Sequence, residues 1–294
     1  MSKTRRIIKN TLVQGASQLI TWGLSWVLLI VLPRKLGDAD FGRFFFAYSY
    51  GAIFSVLINL GVNLWLTREV ATLRAGGEGG ASPGQRLRSL LGSVAVMKVL
   101  LALGVFALQS AAIYALPYDA ATRTAVLIVG ASTCLGALTL TLSGAFQGME
   151  LMTVPNLGLV VEKLMVTLGC VALLERGFGL IPVCWVHLAA AAADLAIVYF
   201  LLRRRIPFVW NFDLAQMRRV FLGGLPFLAV PAALVLKAAL NLLVYILYLF
   251  TLIPGGFFYV TPLPSLWQVG LYYAFLLVLI SVYYHCRQSQ ARSI

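Results

Sequence analysis

Residues 33–71 read PRKLGDADFGRFFFAYSYGAIFSVLINLGVNLWLTREVA. The opening PRKLGDADFGR is too polar to lie in hydrocarbon and too short to be a domain. An apolar run precedes it from residue 11, and a second follows it and leaves the membrane at Arg68-Glu69. Two apolar runs around a charged hinge predict a membrane hairpin whose first helix has a basic root, MSKTRRIIKN.

The rest of the chain is the same material. Hydrophobic residues make up 61% and charged residues 11% of the 294, with a mean hydropathy of +0.90. A soluble domain carries about 25% charged residues. Runs of about 20 apolar residues match a hydrocarbon core near 30 Å. The fold class is therefore an all-α polytopic membrane protein of about eight transmembrane helices. The expected spans are 11–32, 44–66, 90–116, 123–146, 154–174 and 181–202, then a proline-broken stretch over 221–253 and a last span over 266–284. One kinked helix or two short ones over 221–253 sets the range at eight to nine. The first run is read as a retained span and not a secretory signal: it carries Gln14 and Gln18 and ends at Pro33-Arg34-Lys35 without a small-residue cleavage site.

Charge sets the expected orientation, because cytoplasmic segments keep the excess of Lys and Arg. With the N-terminus inside, the inner segments hold Lys3, Arg5, Arg6, Lys9, Arg68, Arg74, Arg86, Arg88, Arg203–Arg205, Arg218 and Arg219. The outer ones before residue 203 hold Arg34, Lys35, Arg43, Arg123 and Arg176. The net charge of +13 is dispersed at span ends, which suits anionic membrane lipids and not a nucleic-acid patch. Helix starts are marked by Ser82-Pro83 with Gln85, by Asp213 with Gln216 and by Ser265 with Gln268, each a capping side chain followed three residues later by Gln.

Catalytic machinery is missing from the pattern. Cys134, Cys170, Cys184 and Cys286 form no CxxC and read as small packing residues, and His187 and His285 stand alone. Neither a metal site nor a cofactor is expected, and the chain is read as no enzyme. Intramembrane charge is the informative feature, since it costs a few kcal/mol and usually faces a cavity or a partner. Lys163 lies near the middle of the fifth span beside Glu162, Asp194 lies in the sixth, and Lys98 in the third. Adjacent helix residues point about 100° apart, so Glu162 and Lys163 are not expected simply to neutralise each other. Two readings stand: structural pairs, Lys163–Asp194 or Glu162–Lys98, and substrate contacts. Lys98 has a third, snorkelling towards the cytoplasmic surface. Polar stripes add Gln14, Gln18, Thr21 and Ser25 on the first helix, and Gly51, Ser55, Asn59 and Asn63 on the second. They are read as helix-packing faces or as walls of a hydrated cavity.

Three stretches carry a family resemblance: IIKNTLVQGASQLI at 7–20, the 33–71 hairpin with its Leu-Gly-acidic-aromatic-Gly hinge and Arg68-Glu69 end, and LSGAFQGMELMTVPNLGLVVEKL at 142–164. Over roughly residues 1–225 the chain resembles the polysaccharide transporter (Wzx-type) flippases of the MATE-like MOP exporter superfamily. The resemblance implies a carrier that turns an undecaprenyl-pyrophosphate-linked oligosaccharide from the cytoplasmic to the outer leaflet of the bacterial inner membrane. It further implies two lobes of about six helices around a basic cavity. No family motif fixes the residues, but on this chain Lys163, Lys98 and Arg68 are the candidates for the pyrophosphate, and Asn59, Asn63, Gln14 and Gln18 for the sugars. Glu162 and Asp194 complete the substrate-binding candidates. Residues 226–294 are expected to add two or three membrane segments whose origin the sequence leaves open, so that the chain would be half-size and act as a homodimer or beside a separate second lobe. Within them, LIPGGFFYVTPLPSLWQVGLYYAFLLVL resembles the tail of ComEC-type competence channels, which offers a DNA-uptake component as an alternative. A non-transporting truncated or fused protein is the third reading.

Overall fold

Gly37 turns the chain where the sequence places its hinge. Its φ of 75° and ψ of 168° belong to a region open to glycine and closed to side chains with a Cβ. On either side the backbone stays helical, so α1 (Lys3–Asn59) is two limbs joined at one residue, and the expected polar loop is itself helix. The computed structural model describes residues 3–74, 83–207 and 210–228. The 229–253 part of the broken stretch, the span expected over 266–284, the Ser265 cap, His285, Cys286 and the 252–279 run lie outside the described residues.

After α1 come α2 (Val62–Arg74), α3 (Pro83–Ala115), α4 (Ala120–Gly148), α5 (Thr153–Glu175), α6 (Leu180–Arg205), α7 (Leu214–Gly224) and a 3-10 turn, Leu225–Leu228. Among the described residues, five helical stretches are long and apolar enough to cross a membrane. The first, Asn10–Arg74, has 65 residues, roughly 98 Å at 1.5 Å per residue, far beyond a core of about 30 Å. Folded back at Gly37, it makes two crossings.

Contacts at the two ends fix the alternation. At one end the Asn10 amide donates to Glu150 O at 2.9 Å, Arg74 Nη1 donates to Met149 O at 2.6 Å, and Arg74, Gly84, Met149 and Arg205 line one depression. At the other, Arg43 bridges Asp40 at 2.8 Å and Asp119 at 3.0 Å, while Gly179 lies against Asp40. Successive crossings therefore run antiparallel. The Arg43 clamp lies outside the spans. The Thr122 hydroxyl, and after it the Arg43 guanidinium, hold the Asp119 carboxyl below the usual carboxylate range, and Asp40 and Asp119 raise Arg43.

The second crossing departs from the expected single span over 44–66. It breaks at Leu60 and Gly61, both in the left-handed region with φ of 37° and 68°. α7 and the following turn press on the break. A Cβ on Gly61 would lie 2.8 Å from Phe227 Cβ, and one on Gly224 would lie 2.8 Å from Leu60 O. α7 begins at Asp213, whose carboxylate accepts from the amides of Ala215 and Gln216 as the cap pattern predicts. The Gln216 side chain does not reach back to close a capping box; its oxygen accepts from Ser89 and Ser93 of α3 at 3.1 and 2.8 Å.

α4 is the central helix, packed on α1, α2, α3 and α6. Its buried face is built of small residues, among them Ala125, Gly130, Ala137, Gly144, Ala145 and Gly148. Lipid tails are as apolar as leucine, so close backbone approach and interhelical hydrogen bonds stabilise such bundles. α4 supplies both: a Cβ on Gly148 would lie 2.6 Å from Thr67 O of α2, and the Thr141 hydroxyl donates to Asn63 Oδ1 at 2.7 Å. Cys134, Cys170 and Cys184 are buried in this packing.

Candidate functional site

Both limbs of α1 lean with α4, α5 and α6 around a cavity of about 310 Å³. Leu28, Leu32, Phe41 and Phe44 give it an apolar wall from α1. The polar part comes from Ser132 and Thr133 of α4, Glu162 and Lys163 of α5, and His187 and Asp194 of α6, with Ser25 and Tyr48 from the two limbs. Glu162 and Lys163 lie halfway along Thr153–Glu175, and Asp194 just past the middle of Leu180–Arg205, so the charges meet at mid-membrane depth.

The structure thus brings together three of the sequence candidates. Lys163 Nζ stands 3.8 Å from Glu162 Oε1 with both side chains about a quarter exposed. The neighbours do touch, through the reach of their side chains, but too loosely for a hydrogen bond. Neither expected structural pair, Lys163–Asp194 or Glu162–Lys98, occurs among the described residues. Asp194 is 7% exposed and its Oδ1 has no hydrogen-bond partner. That oxygen presses on the α5 backbone at Gly158, where a Cβ would overlap it. His187 donates from Nδ1 to Val183 O at 3.1 Å, with Cys170 Sγ 4.0 Å from the same nitrogen and the Phe44 ring 5.0 Å away.

His187 is the residue that sequence reasoning passed over. Its signal was spacing: His187, Ala191 and Asp194 fall at i, i+4 and i+7, one helix face, and all three line the cavity.

The remaining candidates are elsewhere. Lys98 does not snorkel: it is 1% exposed, and Nζ donates to Ile58 O at 2.7 Å and Asn59 O at 3.2 Å, the carbonyls at the α1 break. Asn63 Nδ2 donates to Asn59 Oδ1 at 3.2 Å, and Asn63 Oδ1 takes the Thr141 hydroxyl. These amides join helices and do not line the cavity. Gln14, Gln18 and Arg68 are exposed, with Gln14 one turn beyond the Asn10 end of α1. Among the described residues no group of His, Cys, Asp and Glu has the arrangement of a metal site.

The arrangement has a chemical bias. Two acids, one lysine and the lining hydroxyls together offer the cavity both donors and acceptors. A family model described as polysaccharide biosynthesis protein matches residues 7–251, past residue 225, where the resemblance was expected to stop. No curated protein and no solved structure matches the chain.

Proposed function

The chain belongs to the polysaccharide biosynthesis protein family, and on that premise we propose that it flips a lipid-linked oligosaccharide across the bacterial inner membrane. The observation that carries the reading is the polar cavity at mid-bundle. A membrane helix bundle has no structural need for a loosely paired lysine and an unbonded carboxyl oxygen at that depth, whereas hydroxyl-rich cargo can use both. In this reading Glu162 and Asp194 accept from sugar hydroxyls, and Lys163 donates to ring and hydroxyl oxygens. Ser25, Ser132 and Thr133, whose hydroxyls donate to the carbonyls of Thr21, Val129 and Gly130, accept as well.

The pyrophosphate is not given to Lys163, which pairs with Glu162, nor to Lys98, which is committed to backbone carbonyls. Arg68, exposed and near the end that gathers Asn10, Arg74 and Arg205, is assigned to it instead. That end carries the basic excess, which supports a cytoplasmic N-terminus. Gln14 and Gln18 lie exposed on a limb whose neighbours Leu12, Leu19, Trp22 and Trp26 are also exposed. Amides facing lipid lack partners, so this limb is assigned to a second lobe or a second copy of the chain. Cargo then passes between the two as they rock about it.

Complementation tests this. The chain is expressed, alone and with a separate second lobe, in a bacterial strain lacking its oligosaccharide flippase, and surface polysaccharide is measured. Restoration in either arm is the expected result; a membrane-inserted chain that restores nothing in both arms removes the transport reading.

A further inference from the structure

The opposite side of the α4–α6 contact holds a second hollow, of about 340 Å³, that plays no part in the transport reading. Its walls are Ala95 and Val99 of α3, Leu138 and Leu142 of α4, and Ala192 and Ala196 of α6. Lys98 borders it, but its ammonium is taken by Ile58 O and Asn59 O, so the hollow is apolar. The alanines on α3 and α6 keep it open where larger side chains would close the helices over it.

One end of this groove is built differently. Tyr199, Phe200 and Trp210 form its rim, and the next turn of α6 is Arg203-Arg204-Arg205. Arg203 Nη1 donates to the Tyr199 hydroxyl at 3.3 Å, which ties a guanidinium to the rim. All three arginines are exposed, as are Arg218 and Trp210. The acid of this stretch, Asp213, spends its Oδ1 on capping α7. An apolar trough between spans, an aromatic rim and an exposed basic cluster together have the chemistry of an anionic lipid site.

We propose that the α3–α4–α6 groove holds an acyl chain of an anionic phospholipid, with its phosphate on Arg203. Charge selects the occupant: a zwitterionic lipid fills the trough equally well but gains less from the arginines. The site would make the fold of the described bundle sensitive to the anionic lipid content of its membrane. It is independent of the transport reading, since an inactive carrier can still bind the lipid.

The test uses the full chain purified in detergent and phosphatidylglycerol or phosphatidylcholine brominated on the acyl chain. Quenching of Trp210 is taken as the difference between the wild type and Trp210→Phe. Brominated phosphatidylglycerol is expected to quench saturably, with a half-saturation roughly tenfold below that of brominated phosphatidylcholine. Arg203→Gln, at an exposed position, should bring the two lipids together, and Ala196→Leu or Ala192→Leu should abolish saturable quenching by both. If neither groove variant folds, Arg203→Gln decides alone. Equal quenching by the two lipids in the wild type overturns the proposal, as does a preference that survives Arg203→Gln. Loss of the preference in excess inorganic phosphate assigns the arginines to free phosphate. Displacement by a polyprenyl phosphate but not by unlabelled phosphatidylglycerol assigns the groove to an isoprenoid lipid; both outcomes reject the acyl-chain site.

Discussion

Among the described residues, Lys98 and Lys163 lie within spans, and their surroundings differ. Around Lys98, in the seam between α2, α3 and α4, each polar group closes on another. The ammonium takes two carbonyls of the α1 break, Thr141 and Asn59 take Asn63, and Thr67 donates to Asn63 O at 2.9 Å and Gly144 O at 3.1 Å. Around Lys163 the charged groups stay open, with an ion pair at 3.8 Å and an unbonded Asp194 Oδ1, both facing a cavity. The same residue type serves the fold in one place and is available to cargo in the other. What separates the two is the hydrogen bonding of the charged group itself, complete for Lys98 and loose for Lys163 beside a cavity.

Replacing Lys98 should be the severest test of that contrast. Lys98→Met keeps the stem and strips the Ile58 and Asn59 carbonyls of their donor at a break already strained at Leu60. The expected loss is about 3 kcal/mol, read from denaturant unfolding of the purified chain, with transport falling in step with the folded fraction. A variant that folds normally and fails only in transport would move Lys98 to the functional side and break the comparison. The next effect is steric and falls on the helix that both regions share. Gly148→Val drives side-chain atoms into Thr67 O and Val70 and should cost about 1–3 kcal/mol. Gly136→Ala, on the cavity stretch of α4 with nothing within 4 Å of a new Cβ, should unfold no more easily than the wild type.

The sequence displayed one half of this contrast better than the other. The two crossings of the hairpin, the spans from α3 to α6 and the Asp213 cap follow from apolar run length, Pro83 and local capping chemistry, which are properties of neighbours in the chain. The break at Leu60–Gly61 is not such a property. It depends on Gly223 and Gly224 of α7 and Phe227 of the turn after it, about 160 residues later. Lys98 was misplaced for the same reason, because a lysine in a span snorkels unless a broken helix offers it carbonyls. Glu162, Lys163 and Asp194 stood out as charges in apolar runs. Their meeting with His187 needed the register between α5 and α6, set where Gly158 receives Asp194. Hydropathy does not encode that register.

Lys163 itself gives a smaller effect on stability and a larger one on function. A loose, partly exposed pair contributes about 0–1 kcal/mol, so Lys163→Ala should unfold almost as the wild type does while polysaccharide export in the complemented strain drops roughly tenfold, about 1.4 kcal/mol of lost cargo interaction. Equal stability and equal export would return Lys163 to a passive role. A stability loss matching that of Lys98→Met would erase the distinction between the two lysines.

The smallest effect lies outside both regions and calibrates them. Asp119, in the loop before α4, has its carboxyl held below the usual range by the Thr122 hydroxyl first and Arg43 second. A depressed carboxylate stabilises the fold fully above its unfolded pKa, near 4, and loses that contribution as pH falls through the lower folded value. The wild type should therefore lose a little of its melting temperature on acidification in that window. Asp119→Asn should flatten the loss, and Thr122→Val should flatten it more than Arg43→Gln, because the hydroxyl is the larger cause. None of the three variants should alter export, since the clamp touches neither the cavity nor the seam. Export that fell with Arg43→Gln would tie the outer clamp to the working of the cavity, and the division of the bundle into a closed structural seam and an open functional cavity would have to include its loops.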